Sequence, residues 1–482
     1  MSTAETNAEV VRSAAGVGRN AAILAGATLF CKFGSLAVMP FILRAFAPGE
    51  YGAYSAAFAY AGLLGYVAYF GMNPVVTRDI ARGERSKGDV VFHCTALRMV
   101  FLAISAGALA GIGVIEHFSH EMWVLTWVAF GAMAFDAVTG AVKAAMQAEG
   151  RFGRMAAVDI VRKASQWGLA IFVVLTGAGI SMLAGSVTLA AGAAMAGAVM
   201  MGMSKGDLVD ITPAPRYALQ MLKLAAPMGL SAAFLLALER VNVWMLDIFG
   251  SKAGVGVYQA ALSFKPLFVV QSVVWAIMPL AFRLGRENAA QLAAAIRVTA
   301  RFLLVAGVGL GAVFAAGGAV LVPLLAGANY AESIPVFRIM GLSLPFVFLS
   351  FLYLHALTAV DRQAVAAAIF AGGLVTNVLI DLALVPSMGA TGAILGTLVT
   401  EALIAVSSFA CVWVFVGRPF DRSDGRALIS TLAAAAVVSI MCLAGVKDLG
   451  ITGLAVYGAM LVVLKVMTKA DVRLLASAFA GR

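Results

Sequence analysis

Charge is what this 482-residue chain has least of: Asp, Glu, Lys and Arg together make up 12% of it. Soluble domains carry about 25%. Hydrophobic residues reach 62%, and the mean hydropathy is +0.96. Cysteine is limited to four residues, Cys31, Cys94, Cys411 and Cys442, each within an apolar segment and without metal-ligand spacing. That excludes a disulfide scaffold or zinc module and leaves small buried hydrophobes. There is no nucleophile–base pair, no nucleotide-binding glycine loop and no metal cluster, so no catalytic residue, metal or cofactor is assigned. Acidic residues are the rarer sign, 24 against 34 Lys and Arg, for a net charge of +10. The basic excess lacks the aromatic-interleaved patch that nucleic acid requires, so nucleic acid is not an expected partner.

What remains is a row of apolar runs. Each is long enough for a membrane helix of about 20 residues, and only closed backbone hydrogen bonding survives in hydrocarbon. The runs are too long and too rich in Ala, Gly and Leu for barrel strands. The expectation is an all-α polytopic membrane protein with fourteen spans. They fall at about 20–45, 52–77, 90–115, 122–146, 156–178, 180–203, 217–248, 255–282, 291–317, 333–359, 363–385, 390–416, 426–445 and 449–468. The polar stretch Met1 to Arg19 has no apolar core with a cleavage site, so the first run is expected to stay as a span.

The connecting segments alternate in charge. One set holds Arg78, Arg82, Arg85 and Lys87, later Arg151 and Arg154, Lys205 and Arg216, Arg283 and Arg286, Arg362, then Arg418, Arg422 and Arg426. The other holds little beyond Arg44, Lys252 and Lys447, and its segment Glu116 to Glu121 is acidic. The basic set should be cytoplasmic, with both termini inside. No connecting segment is long enough for a folded domain, so function is expected between helices.

An internal repeat is visible. Gly52-Ala53-Tyr54-Ser55-Ala56-Ala57 matches Gly256-Val257-Tyr258-Gln259-Ala260-Ala261. Met72-Asn73-Pro74 with Arg78 then matches Met278-Pro279 with Arg283, and Arg98 matches Arg301. Two six-helix copies in the same orientation follow, related by a pseudo-twofold along the membrane normal. The expected segments are a cytoplasmic stretch 1–19, a lobe 20–204, a linker 205–216, a second lobe 217–416, and two additional helices with a tail over 417–482.

Several segments carry a family likeness. Leu43-Arg44-Ala45-Phe46 precedes Glu50-Tyr51-Gly52, and Gly71-Met72-Asn73 leads to Arg78-Asp79-Ile80-Ala81-Arg82. Pro227 lies early in the seventh span. Asn377 through Asp381 to Leu384-Val385-Pro386, then Gly389-Ala390-Thr391-Gly392-Ala393, joins the eleventh and twelfth. In order and spacing, over residues 18–416, the chain resembles the Wzx-type oligosaccharide flippases. These form the polysaccharide-transport branch of the multidrug/oligosaccharidyl-lipid/polysaccharide exporter superfamily. The resemblance implies a transporter, not an enzyme, in the bacterial inner membrane. Its substrate would be an undecaprenyl-pyrophosphate-linked oligosaccharide, moved to the outer leaflet for exopolysaccharide, capsule or O-antigen. A polysaccharide polymerase and chain-length machinery are the implied partners besides the bilayer.

Ionisable residues inside the spans are the candidate site, because each costs about 2.5–3.5 kcal/mol at the bilayer centre. Lys32 lies about 18 Å from either end of its span at 1.5 Å per residue, beyond snorkelling reach. Lys265 precedes Pro266, where a break could open the helix, and Arg240 falls near the repeat equivalent of Lys32. These three cations are the candidate pyrophosphate ligands. The competing reading pairs them with Asp136, Glu239, Asp247 or Glu401. Arg98 and Arg301 lie nearer the cytoplasmic ends, where they snorkel or capture a head group. Asp136 and Glu401 are candidates for ion coupling, and His355 is expected as a satisfied core histidine.

Three rivals stand beside the oligosaccharide flippase. A lipid II flippase has the same fold and head group. A cation-coupled multidrug extruder would need a carboxylate in the first span, which carries Lys32 instead. A membrane polysaccharide polymerase or ligase would need a sizeable outward loop, and none is present.

Overall fold

The computed structural model describes residues 3–83, 85–208, 211–212 and 214–418. Fourteen α-helices account for nearly all of it: α1 Thr3–Ala45, α2 Pro48–Tyr66, α3 Met72–Arg82, α4 Lys87–Ile115, α5 His120–Ala148, α6 Phe152–Thr176 and α7 Ile180–Gly202. After a short turn at Gly206–Leu208 come α8 Pro215–Phe249, α9 Lys252–Leu262, α10 Leu267–Glu287 and α11 Ala289–Ala326. A turn at Ala328–Tyr330 leads to α12 Ser333–Ala359, α13 Gln363–Met388 and α14 Ala390–Phe415. The described residues contain no strand. Side-chain caps start several helices: the Ser86, Ser119 and Ser251 hydroxyls accept from the amides of Asp89, Met122 and Gly254.

Each of the first twelve expected spans meets a helix or a helix pair. The two at 426–445 and 449–468 fall outside the described residues, as does Cys442. Two spans are broken: the first departs from the expected continuous helix, and the second breaks beside Pro266, where the sequence offers a break. The one at 52–77 breaks between α2 and α3, where Phe70 and Gly71 take left-handed φ values of 24° and 67°. Gly71 adopts this at no steric cost, Phe70 does not. The span at 255–282 breaks between α9 and α10 with a 46° bend. There Pro266 supplies no amide, and Lys265 N–H closes a tight turn on Leu262 O at 3.0 Å. The second break comes about two turns earlier in its copy than the first, so the copies have diverged. Among the described residues, eight helices are long and apolar enough to cross a membrane, or nine if the bent pair counts as one span. Large apolar side chains such as Leu175, Met200 and Val414 point outwards, as lipid-facing helices require.

Contacts divide the chain into two compact units. Among the described residues, the first takes the chain through Phe46 and then Ala53–Arg240; the second takes Ala47–Gly52 and the chain from Val241 on. The core of the first unit gathers Met72, Val76, Cys94, Met146, Val158 and Met221. That of the second gathers Val274, Ile277, Leu303, Phe348 and Tyr353. Small residues let helices close in. Gly311 and Gly341 put α11 and α12 so near that a Cβ on either would lie 2.5 to 2.7 Å from the carbonyl of the other.

Candidate functional site

In the first unit, α5 places Asp136, Gly140, Lys143 and Gln147 on one face at three- and four-residue spacing. The next helix, α6, does the same with Met155, Asp159 and Arg162. The two faces, with Tyr69 and Asn73, line a cavity of about 350 Å³. Ion pairs join them at both levels: Arg162 Nη1 donates to Asp136 Oδ1, and Lys143 Nζ donates to Asp159 Oδ1 at 2.6 Å.

Arg98 of α4 forms part of the support of this cavity and is completely buried. Its guanidinium donates to Ala137 O and to Asn73 Oδ1, both at 2.5 Å, and its carbon lies 5.1 Å from the Tyr69 ring centre. Gly140 admits it, since a Cβ there would stand 3.0 Å from Arg98 Nη1. The snorkelling expected of Arg98 is therefore corrected: the side chain runs inwards, because a carbonyl and an amide meet its donors there. Its repeat partner Arg301 is half-buried on α11.

Lys32 is exposed on α1 and makes no hydrogen bond or ion pair among the described residues; Lys163 and Cys31 lie within electrostatic reach. Arg240, half-buried, closes the first unit, and its Nε is buried without a hydrogen-bond partner among the described residues. Lys265 belongs to the second unit, in the break before α10. Its Nζ is 3.7 Å from Glu401 Oε1 of α14. This is one of the expected pairings; Asp136 turns to Arg162, and Asp247 pairs with Lys252. His355 Nδ1 sits 2.7 Å from Phe351 O, a satisfied core position.

Sequence reasoning gives no role to the most isolated acid. Asp381 is 0% exposed, and neither carboxylate oxygen has a hydrogen-bond partner among the described residues. The Asn377 amide and Thr400 hydroxyl are likewise buried and unbonded. Gly396 of α14 makes the room, for a Cβ there would overlap Asp381 Oδ1. A buried bare carboxylate costs several kcal/mol. A proton or a small hard cation relieves it, and the surrounding amide and hydroxyl oxygens suit such a cation. The signal is the four-residue stripe Gly373, Asn377, Asp381 and Val385, all buried on one face of α13.

A second polar network ties the α7–α8 connection to α3 and α4. Tyr217 Oη donates to Asp79 Oδ2 at 2.7 Å, and Arg78 holds the other oxygen at 2.6 Å. Thr212 N–H donates to Asp89 Oδ1, and Ala214 N–H to His93 Nε2 at 2.9 Å, which places the imidazole proton on Nδ1 facing Asp89 O. Lys87 Nζ reaches Asp207 Oδ2 at 2.8 Å and Glu149 Oε1 at 3.1 Å. Burial alone would raise the Asp207 carboxyl, but the hydrogen bonds from Lys87 and from the Ser204 amide and hydroxyl hold it below its ordinary value.

Known structures share this fold. One titled lipid II flippase MurJ, in an inward closed conformation, superposes with a TM-score of 0.73 at 14% identity, covering 92% of this chain and 98% of its own. An inward-facing multidrug resistance MATE family transporter of the MOP superfamily gives 0.64 at 16% identity, over 79% and 94%. The Vibrio cholerae MATE transporter VcmN, in its bent form, gives 0.53 at 16% identity, over 83% and 98%. No curated protein sequence matches significantly. The family model described as polysaccharide biosynthesis protein matches residues 17–284, more than half of the sequence. With its multi-pass helical fold, the chain therefore belongs to the polysaccharide biosynthesis protein family.

Proposed function

We propose that the protein is a flippase that carries an undecaprenyl-pyrophosphate-linked oligosaccharide from the cytoplasmic to the outer leaflet of a bacterial inner membrane by alternating access. The observation that carries this reading is Lys32. It lies in the apolar stretch Gly26–Ala45 of α1, exposed and without a partner among the described residues. A cation facing lipid there costs about 2.5–3.5 kcal/mol, so its stable surroundings are water and passing anions. A pyrophosphate is the dense anion that the resemblance to the oligosaccharide flippases implies, and an ammonium forms charge-assisted hydrogen bonds to it. Arg240 and Lys265 are the further candidate ligands. The Lys265–Glu401 pair keeps its charge in reserve, since an ion pair at 3.7 Å is loose enough to exchange.

The test is accumulation of radiolabelled lipid-linked oligosaccharide on the inner leaflet. Lys32→Ala and Lys32→Glu should insert normally and accumulate it, with Glu the more severe. Lys32→Arg should keep partial transport, because charge survives while head-group geometry changes. Wild-type transport by Lys32→Ala removes Lys32 from the mechanism. Labelled lipid II carried in place of the oligosaccharide would move the reading to the lipid II rival.

A further inference from the structure

We propose that the cavity between α5 and α6 is a sugar pocket, which takes an uncharged, hydroxyl-rich part of the translocated glycan. The proposal rests on the flippase reading above and adds a recognition site to it. Its volume, about 350 Å³, is at the small end of the roughly 300–1,000 Å³ usual for ligand sites. Two ion pairs with empty volume between their helices are not explained by packing, since packing alone would close the gap.

The balance of charge identifies the ligand class. Asp136 and Asp159 face Arg162 and Lys143, so the lining has equal numbers of acids and bases. A pyrophosphate entering would meet two carboxylates, and a cationic drug would meet a guanidinium and an ammonium. A sugar diol meets neither conflict: one hydroxyl donates to a carboxylate while its neighbour accepts from the basic partner. The pairs leave capacity for this. The Asp159 side chain is 42% exposed and that of Arg162 26%.

Neutral and apolar groups complete the match. Gln147 is exposed at the cavity edge, and Asn73, its Oδ1 taken by Arg98, has only Nδ2 donors to offer. Tyr69 and Met155 add an aromatic and an apolar side chain to the lining, the groups against which the C–H face of a pyranose packs. Arg98 touches no ligand in this scheme; as a positioning residue it fixes both Asn73 and Tyr69.

The test compares two probes on the full-length protein in lipid nanodiscs. One is the lipid-linked oligosaccharide extracted from cells depleted of the protein; the other is bare undecaprenyl pyrophosphate. The wild type should bind the glycosylated lipid about tenfold more tightly, and Asp159→Asn and Gln147→Ala should bring that ratio towards one with bare-lipid affinity unchanged. Gln147→Ala loses no ion pair, so it decides the matter if Asp159→Asn does not fold. A ratio kept in a folded variant overturns the sugar pocket, as does a wild type that binds both probes equally. An equal fall for both probes assigns the cavity to the pyrophosphate instead. If depleted cells accumulate no lipid-linked oligosaccharide, the flippase reading fails, and the pocket fails with it.

Discussion

Gly52 and Gly256 pass one another backbone to backbone: a Cβ on Gly52 would overlap the Lys252 carbonyl, and a Cβ on Gly256 would overlap the Pro48 carbonyl. Each glycine is blocked by the residue four places before the other. The contact is reciprocal, and it pairs the two copies of the repeat motif that the sequence displays. Only glycine lets the first turn of α2 and α9 approach this closely, which explains why the same residue opens both copies.

Gly52→Ala and Gly256→Ala should each destabilise the protein by about 1–3 kcal/mol through overpacking against backbone. Because they act at one contact, the double variant should cost less than the sum. Thermal unfolding in detergent reads this directly. Two additive losses, or none, would mean that the helices do not cross there.

Arg98 should tolerate no replacement. Truncating so large a buried side chain leaves a cavity and strands Ala137 O and Asn73 Oδ1, together about 3–5 kcal/mol, so Arg98→Ala should leave little folded protein. Arg98→Lys should not rescue it, since one ammonium cannot reach both Ala137 O and Asn73 Oδ1 as the guanidinium fork does. Yield of monodisperse protein on size exclusion is the readout, and a normal yield for the Lys variant contradicts the geometry.

For Asp381 the expected sign is the opposite. Asp381→Asn removes a carboxylate with no partner, and should raise stability by about 1–3 kcal/mol. The wild type should gain thermal stability in the presence of Na⁺ or Li⁺, or on acidification, and the variant should lose that response. A wild type indifferent to cations and to pH, with a variant less stable than it, rules out the cation or proton seat.

The α7–α8 connection should be held by Asp207 over most of the pH range. Its carboxyl is depressed from 3.8, so its contribution is complete above about that pH and disappears as pH falls through the lower folded value. Hydrogen exchange on peptides of the connection should therefore show Asp207-dependent protection at neutral pH that is lost only in strong acid. Asp207→Asn should reduce protection already at pH 7. Equal protection in both proteins at neutral pH would show that Lys87 does not anchor the segment through Asp207.

Helix positions are legible in the sequence because a run of apolar residues has one solution in a bilayer. The expected span 333–359 and α12 coincide. The break after Tyr66 is not legible, because Val67 to Gly71 is as apolar as its flanks and only the backbone angles at Phe70 and Gly71 mark it. The break at Lys265 is, since proline announces itself chemically. Partner choice is the weakest part. Asp136 stands out in the sequence but Arg162 does not, because the two meet across helices with no local spacing to connect them. Lys143 and Gln147 can be found as a continuation of the Asp136 stripe along one helix face. Asp381 shows itself in a family motif and in the stripe it shares with Gly373, Asn377 and Val385, but its lack of hydrogen-bond partners among the described residues is a property of three-dimensional packing.

The four charged side chains that line the α5–α6 cavity sum to zero, so the lining itself has no monopole. Its field is that of opposed dipoles, which fades within a few ångströms, well inside the screening length of about 8 Å at physiological ionic strength. The lining draws nothing from a distance, in contrast to an entrance of one sign, whose capture rate falls steeply with salt. Discrimination at this cavity is made at contact, after arrival, and added salt should leave its rate of filling unchanged.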